Sequence, residues 1–235
     1  MQLNHHTAAD AATLAANLAR FTADRLQAAL AERERVLLVL SGGSTPVPFF
    51  EALSRLPLDW SRVVVTLADD RWVPLDHADS NARLVRTHLL QGPAAAATFV
   101  PVSSEAPTPT DGQPAIEAEL AGLPWPAEVT VFGMGGDGHT ASLFPQAPEL
   151  AAALDDAQAP LTMPVGAPAP PNVPVPRLTL TRRALLDTRC AVIHCTGAAK
   201  RALLQRASEA GEVAELPIRI VLQQDRVPVH IFHVD

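Results

Sequence analysis

The sequence predicts an α/β fold with a mostly parallel sheet flanked by helices. Three observations lead there. Short continuous apolar runs such as Val36–Leu40 and Val63–Leu67 are the mark of strands covered on both faces. Segments with apolar residues at helical spacing alternate with those runs. Polar, glycine-rich or acidic loops follow the runs, where an open α/β sheet places its ligands.

Taken in order, residues 8–34 carry Ala and Leu at helical spacing, with Thr7 as the expected N-cap. The strand Val36–Leu40 leads into the loop Ser41-Gly42-Gly43-Ser44-Thr45. Pro46 suits the first turn of a helix bearing Phe49, Phe50, Leu53 and Leu56. The strand Val63–Leu67 ends in Ala68-Asp69-Asp70-Arg71, and Ser80 is positioned to cap a helix through Leu90. Thr98–Val102 reads as a short strand, 103–114 as a loop, 115–122 as a helix and Glu128–Phe132 as a strand. The proline-rich stretch 159–176 predicts an irregular or extended connection. Strands over Arg177–Thr181, Cys190–Cys195 and Val227–Val234, and a helix over Ala198–Ala210, complete the chain. No repeat or linker divides it, so a single domain over 1–235 is expected.

Composition excludes several classes. Apolar residues make up 48% and charged residues 18%, a globular balance. No apolar run approaches the ~20 residues that span a bilayer. Met1–Asp10 lacks the basic and apolar regions of a secretory signal. Cys190 and Cys195 are five residues apart along one strand, about 17 Å and on opposite faces, too far for a disulfide. Free thiols point to a reducing compartment, and the cytoplasm is the expected location. The net charge of −7 argues against a nucleic-acid partner, and nothing in the sequence names a protein partner. An anionic ligand would have to be met by a few gathered cations. Among seventeen Arg there is one Lys, Lys200, whose compact ammonium Arg does not imitate.

Three loops carry the chemistry. In the first, Gly42 and Gly43 let the backbone approach a ligand, and Ser44 and Thr45 add hydroxyl donors. Alone it fits either a phosphate cradle or an ordinary capped strand-to-helix turn. In the second, Asp69 and Asp70 precede Arg71, which reads either as a salt-bridged turn or as an anion-binding guanidinium oriented by the carboxylates. Nearby His77 reads as a solvated loop residue. The third, Gly133-Met134-Gly135-Gly136-Asp137-Gly138-His139-Thr140, contains Gly-x-Gly-x-x-Gly after a strand. A dinucleotide site would need a further strand ending in an acid ~20 residues on. Residues 147–160 are instead rich in Ala and Pro, and Asp137 would put a carboxylate where pyrophosphate belongs. The glycines read better as scaffolding that presents Asp137 and His139. An imidazole, with its ordinary pKa near ~6.5, suits a general base, and a neighbouring carboxylate fixes its tautomer. Asp-x-His supplies two metal ligands with no convincing third, so no metal is expected. His5, His6, His88, His194, His230 and His233 read as surface or strand residues.

Together the three loops resemble the 6-phosphogluconolactonase family. Leu40 through Pro46 matches its first motif, and Asp69-Asp70-Arg71 with Val73-Pro74 and Ser80-Asn81 resembles its Asp-Glu-Arg loop. Gly133-Met134-Gly135 with Asp137 through Pro145 is similar to its most specific stretch, and Arg177–Thr181 and Gly197–Lys200 match later motifs. The resemblance spans nearly the whole chain in the family's order. It implies a Rossmann-like parallel sheet and hydrolysis of 6-phosphogluconolactone in the oxidative pentose phosphate pathway, without metal or redox cofactor. By carry-over His139 activates water, Arg71 sits beside the lactone carbonyl, and Gly43, Ser44, Thr45, Arg177 and Lys200 gather round the phosphate. Two departures stand out: Asp70 occupies the usual Glu position, and Ala169-Pro170-Pro171 lacks the family's lysine.

Two rivals share a related fold. A glucosamine-6-phosphate deaminase typically continues its Gly-x-Asp-Gly-His loop with an additional Glu. Here Thr140-Ala141-Ser142-Leu143-Phe144-Pro145 has none. A sugar-phosphate sensor would need a DNA-reading domain, for which there is no room beyond residues 8–34.

Overall fold

The computed structural model describes residues 3–234, so the outer bounds of the expected domain, with Met1 and Asp235, lie outside the described residues. The chain runs β1 (Leu3–Ala8), α1 (Ala11–Leu30), β2 (Val36–Leu40), α2 (Val47–Ser54), β3 (Val63–Leu67), β4 (Asp69–Arg71), α3 (Asn81–His88) and β5 (Thr98–Val100). It continues through α4 (Pro109–Ala121), β6 (Val129–Phe132), α5 (Leu150–Ala153), β7 (Thr162–Val165), β8 (Arg177–Leu180) and α6 (Arg182–Leu185). The last elements are β9 (Ala191–Cys195), α7 (Ala198–Ser208), α8 (Arg219–Leu222) and β10 (Val229–Val234).

Seven strands form one sheet in the order β1-β10-β9-β6-β2-β3-β5, every pair parallel. Its central strands β2, β3, β6 and β9 are buried along their whole length, which is why they read as continuous apolar runs. From β2 the chain builds outward through β3 to β5, and from β6 outward through β9 to β10. The strand order therefore reverses between the neighbours β2 and β6. A crevice opens at the carboxyl ends of two such strands because their connections leave in opposite directions. The two glycine-rich loops, 41–45 and 133–140, follow these two strands.

Several expectations are corrected. Thr7 caps nothing: it pairs in β1, and α1 is capped by Asp10, whose Oδ1 accepts from the Thr13 N–H at 2.7 Å. The polar, half-exposed Leu-Asn-His-His-Thr-Ala of an edge strand does not produce an apolar run, so the sequence predicts no strand ahead of the helix. Helix α4 starts inside the stretch expected as loop, with Thr108 as N-cap and Pro109 in the first turn. The strand at Arg177 leaves the parallel sheet; β8 lies between β4 and β7 in a separate antiparallel sheet. Residues 159–176 include β7, with Pro164 inside it. Ser80 does cap α3, accepting from the Arg83 N–H at 3.2 Å. Cys190 and Cys195 are buried free thiols, and burial pushes both pKa values up to about 11. Among the described residues no helix is long and apolar enough to cross a membrane.

Candidate active site

A cavity of about 260 Å³ occupies the crevice between the ends of β2 and β6. It is lined by Gly42, Gly43, Ser44, Thr45, Asp69, Arg71, His139, Arg177 and Lys200, whereas Asp70 and Asp137, also singled out in the sequence, lie outside it. Asp137 stands behind His139.

The first loop supplies donors. Among the described residues, none of the N–H groups of Gly43, Ser44 and Thr45 has a protein acceptor. Unsatisfied N–H groups ahead of a helix suit an anion. Gly42 lines the cavity, and its lack of a side chain also serves a neighbour. A Cβ there would lie 1.9 Å from Asn81 Oδ1, so glycine makes room for the Asn81 side chain.

The second loop departs from expectation in how Arg71 is held. Neither neighbouring carboxylate grips its guanidinium. Nη1 donates to the Asp79 carbonyl and to Asn81 Oδ1, each at 2.9 Å. Asn81 is itself tied down, donating from Nδ2 to the Asp69 carbonyl at 3.0 Å. Fully buried Asp70 caps α3 instead, accepting from the N–H groups of Asn81 and Ala82 at 2.6 and 2.9 Å and from Ser103 Oγ at 3.0 Å. Burial raises its pKa against the pull of these hydrogen bonds. The short reach of Asp at this position serves a backbone cap.

Asp69 accepts from Ser142 Oγ at 2.6 Å and lies 3.8 Å from Arg177 Nη1. Register places Arg177 directly across from Arg71 on β8 and β4, so two guanidinium groups share one side of the cavity. Arg177 is only 4% exposed, and burial lowers its pKa while Asp69 opposes the shift. Its guanidinium carbon lies 5.2 Å from the Phe144 ring centre, and the same ring contacts His139 at 4.7 Å. Phe144 thus touches both the imidazole and the cation.

In the third loop His139 Nδ1 is 2.5 Å from Asp137 Oδ1. The other carboxylate oxygen accepts from Asn172 Nδ2 at 3.3 Å. Burial works to raise the Asp137 pKa, but the bonds from His139 and Asn172 outweigh it and hold the carboxyl well below its usual range. An ionised partner at Nδ1 keeps the proton there, leaving Nε2 as the acceptor nitrogen. Gly135 is required by close approach: a Cβ would fall 2.1 Å from His139 Cε1.

Sequence reasoning missed three contributors. Asn172 belongs to the proline-rich connection, where nothing marks its long-range partner. Ala169, three residues earlier, is exposed and outside the cavity lining. Asn81 appeared only as part of a motif. His194 is indeed a strand residue, yet it lines the cavity. A polar residue inside the buried run of β9 was the signal available. His77, expected to be solvated, is exposed. Among the described residues, no three His, Cys, Asp or Glu cluster as a metal site would require.

Fold and cavity together define an α/β enzyme with a donor-rich, cationic crevice at a strand-order switch, suited to a small anionic ligand. The chain belongs to the family described as glucosamine-6-phosphate isomerases/6-phosphogluconolactonase, which matches residues 9–230. A 6-phosphogluconolactonase of Pseudomonas putida is 47% identical over 217 residues, covering 92% of this chain and 88% of the relative. One from Rhizobium meliloti is 42% identical over 234 residues, covering 99% of each. The crystal structure of a 6-phosphogluconolactonase from Shewanella baltica superposes with a TM-score of 0.94 at 38% identity, over 100% of this chain and 98% of that one. A monomeric glucosamine-6-phosphate deaminase shares the fold, with a TM-score of 0.75 at 17% identity over 97% and 96% of the two chains.

Proposed function

We propose that this chain hydrolyses 6-phospho-D-glucono-1,5-lactone to 6-phosphogluconate in the oxidative pentose phosphate pathway, with His139 as general base. The observation that carries the reading is the Asp137–His139 bond at Nδ1, made where the imidazole lines a cavity shared with Arg71. The names of the relatives support the substrate.

In this mechanism Nε2 of His139 takes a proton from water as the water oxygen bonds to the lactone carbonyl carbon. Arg71 faces the oxyanion that forms. The ring C–O bond then breaks, and the imidazolium returns its proton to the departing ring oxygen, which becomes a hydroxyl. Asp137 fixes the tautomer and steadies the transient imidazolium. General-base catalysis of this kind contributes ~10²–10⁴-fold, and an oxyanion donor about 10²–10³-fold. A δ-lactone is already an activated ester, so no covalent intermediate and no cofactor is needed. The N–H groups of Gly43, Ser44 and Thr45, with Lys200, hold the phosphate, while Gly42 secures Asn81 and Asp69 secures Arg177 against the substrate. Fixing the remote phosphate orients the carbonyl.

We place the enzyme in the cytoplasm as a single domain acting on a small sugar phosphate, with no nucleic-acid partner. Its buried free thiols and net charge of −7 support this. The deciding experiment follows acid release from freshly generated lactone, with spontaneous hydrolysis subtracted. Wild type accelerates it, and His139→Ala lowers kcat by about 10²-fold or more with little change in KM. Normal turnover by His139→Ala removes the base assignment. Ammonia release from glucosamine 6-phosphate, without lactone hydrolysis, overturns the reaction.

A further inference from the structure

His194 projects from β9 into the cavity and is 4% exposed. Its ring meets Phe49 of α2 edge-on, with centroids 6.2 Å apart. Among the described residues neither ring nitrogen has a hydrogen-bond partner. Neither nitrogen is among the described polar atoms sealed in the core without a partner, so both open on the cavity, where a ligand can reach them. The surroundings select the missing partner. Lys200, in the first turn of α7, lines the same cavity and acts electrostatically on the ring. Burial, seconded by that ammonium, lowers the His194 pKa to about 4, so the imidazole is neutral near neutral pH. A cation is disfavoured beside Lys200. With the N–H groups of Gly43, Ser44 and Thr45 also unpaired, this end of the cavity offers donors to an anion with several acceptor oxygens.

We infer that His194 is a binding residue for the substrate's phosphate, donating a hydrogen bond from its neutral imidazole alongside Lys200. The assignment rests on the lactonase reading for the identity of the ligand. Its consequence is selectivity: His194 discriminates phosphorylated from unphosphorylated sugar acids and takes no part in the chemical step.

The test compares wild type, His194→Phe and His194→Gln by calorimetric titration with 6-phosphogluconate and with gluconate, beside kinetics on the lactone. His194→Phe weakens 6-phosphogluconate binding by about tenfold or more, the worth of a hydrogen bond to a charged group. Gluconate affinity stays within about threefold, kcat/KM on the lactone falls in step with the lost phosphate binding, and His194→Gln, which keeps a neutral donor, restores most of the loss. Unchanged affinity in a folded His194→Phe, or equal loss for both ligands, overturns the inference. Imidazole ¹⁵N shifts of the wild type give a reading free of folding effects. 6-Phosphogluconate moves the His194 nitrogens and gluconate does not; nitrogens that respond to neither contradict the assignment. A wild type that turns over no lactone removes the lactonase reading alone, because the two titrations still decide whether His194 senses the phosphate.

Discussion

The Asn81 side chain occupies the space that a Cβ on Gly42 would need, 1.9 Å from Oδ1, and that same oxygen accepts from Arg71. The first glycine loop and the arginine loop are coupled through this contact. Gly42→Ala should displace Asn81 and with it the guanidinium. We expect kcat to fall by about tenfold or more, since small misplacements of a catalytic group are costly, while the far-ultraviolet circular dichroism is unchanged. Wild-type kcat in Gly42→Ala would show that Arg71 does not depend on Asn81.

Asp137→Asn isolates the tautomer argument. The amide cannot match the ionised carboxylate at Nδ1, and in one orientation it presents N–H groups to the ring. Turnover should drop by at least about tenfold with KM nearly constant. A matching rise in KM would instead assign Asp137 to substrate binding.

Asp70→Ala should cost stability rather than chemistry. It strands the N–H groups of Asn81 and Ala82 and the hydroxyl of Ser103 in a buried place. We expect a loss of about 2–4 kcal/mol in urea unfolding, the sum of a lost cap and unsatisfied buried donors. A change under about 0.5 kcal/mol would contradict the capping role.

Acidification should destabilise the protein from about pH 6.5 downward. The pKa of His194 is lowered to about 4, and those of His6 and His230 are also lowered, in each case chiefly by burial. Below the unfolded value the unfolded chain binds protons that the folded chain refuses, so stability falls as pH falls toward the folded values. His194 alone contributes up to about 3 kcal/mol across that window. Asp137, depressed in the fold, adds a further loss below its unfolded pKa of 3.8. Urea midpoints measured from pH 7.5 to 4.5 should decline, and less steeply in His194→Phe. A flat profile would exclude a buried neutral His194.

Features encoded within a few neighbouring residues were legible before any fold was known. Val36–Leu40 and Val63–Leu67 announce central parallel strands because both faces are covered, and their apolar runs need no partner to be recognised. Asp137 and His139 are two residues apart, so their pairing is local. Short polar strands stayed hidden. β1 is a half-exposed edge, and β4 is three residues of Asp-Asp-Arg that form a strand only because β8 lies alongside. Tertiary structure alone decided which partner each charge takes. Arg71 turned from adjacent carboxylates to Asn81, Asp70 to a helix end, and Arg177 to a place across from Arg71. His194 looked like one more strand residue until β9 was set beside the crevice. Spacing along the chain limits which groups can meet, but a buried polar group goes to whatever partner the packed core brings within reach, and sequence order does not encode that distance.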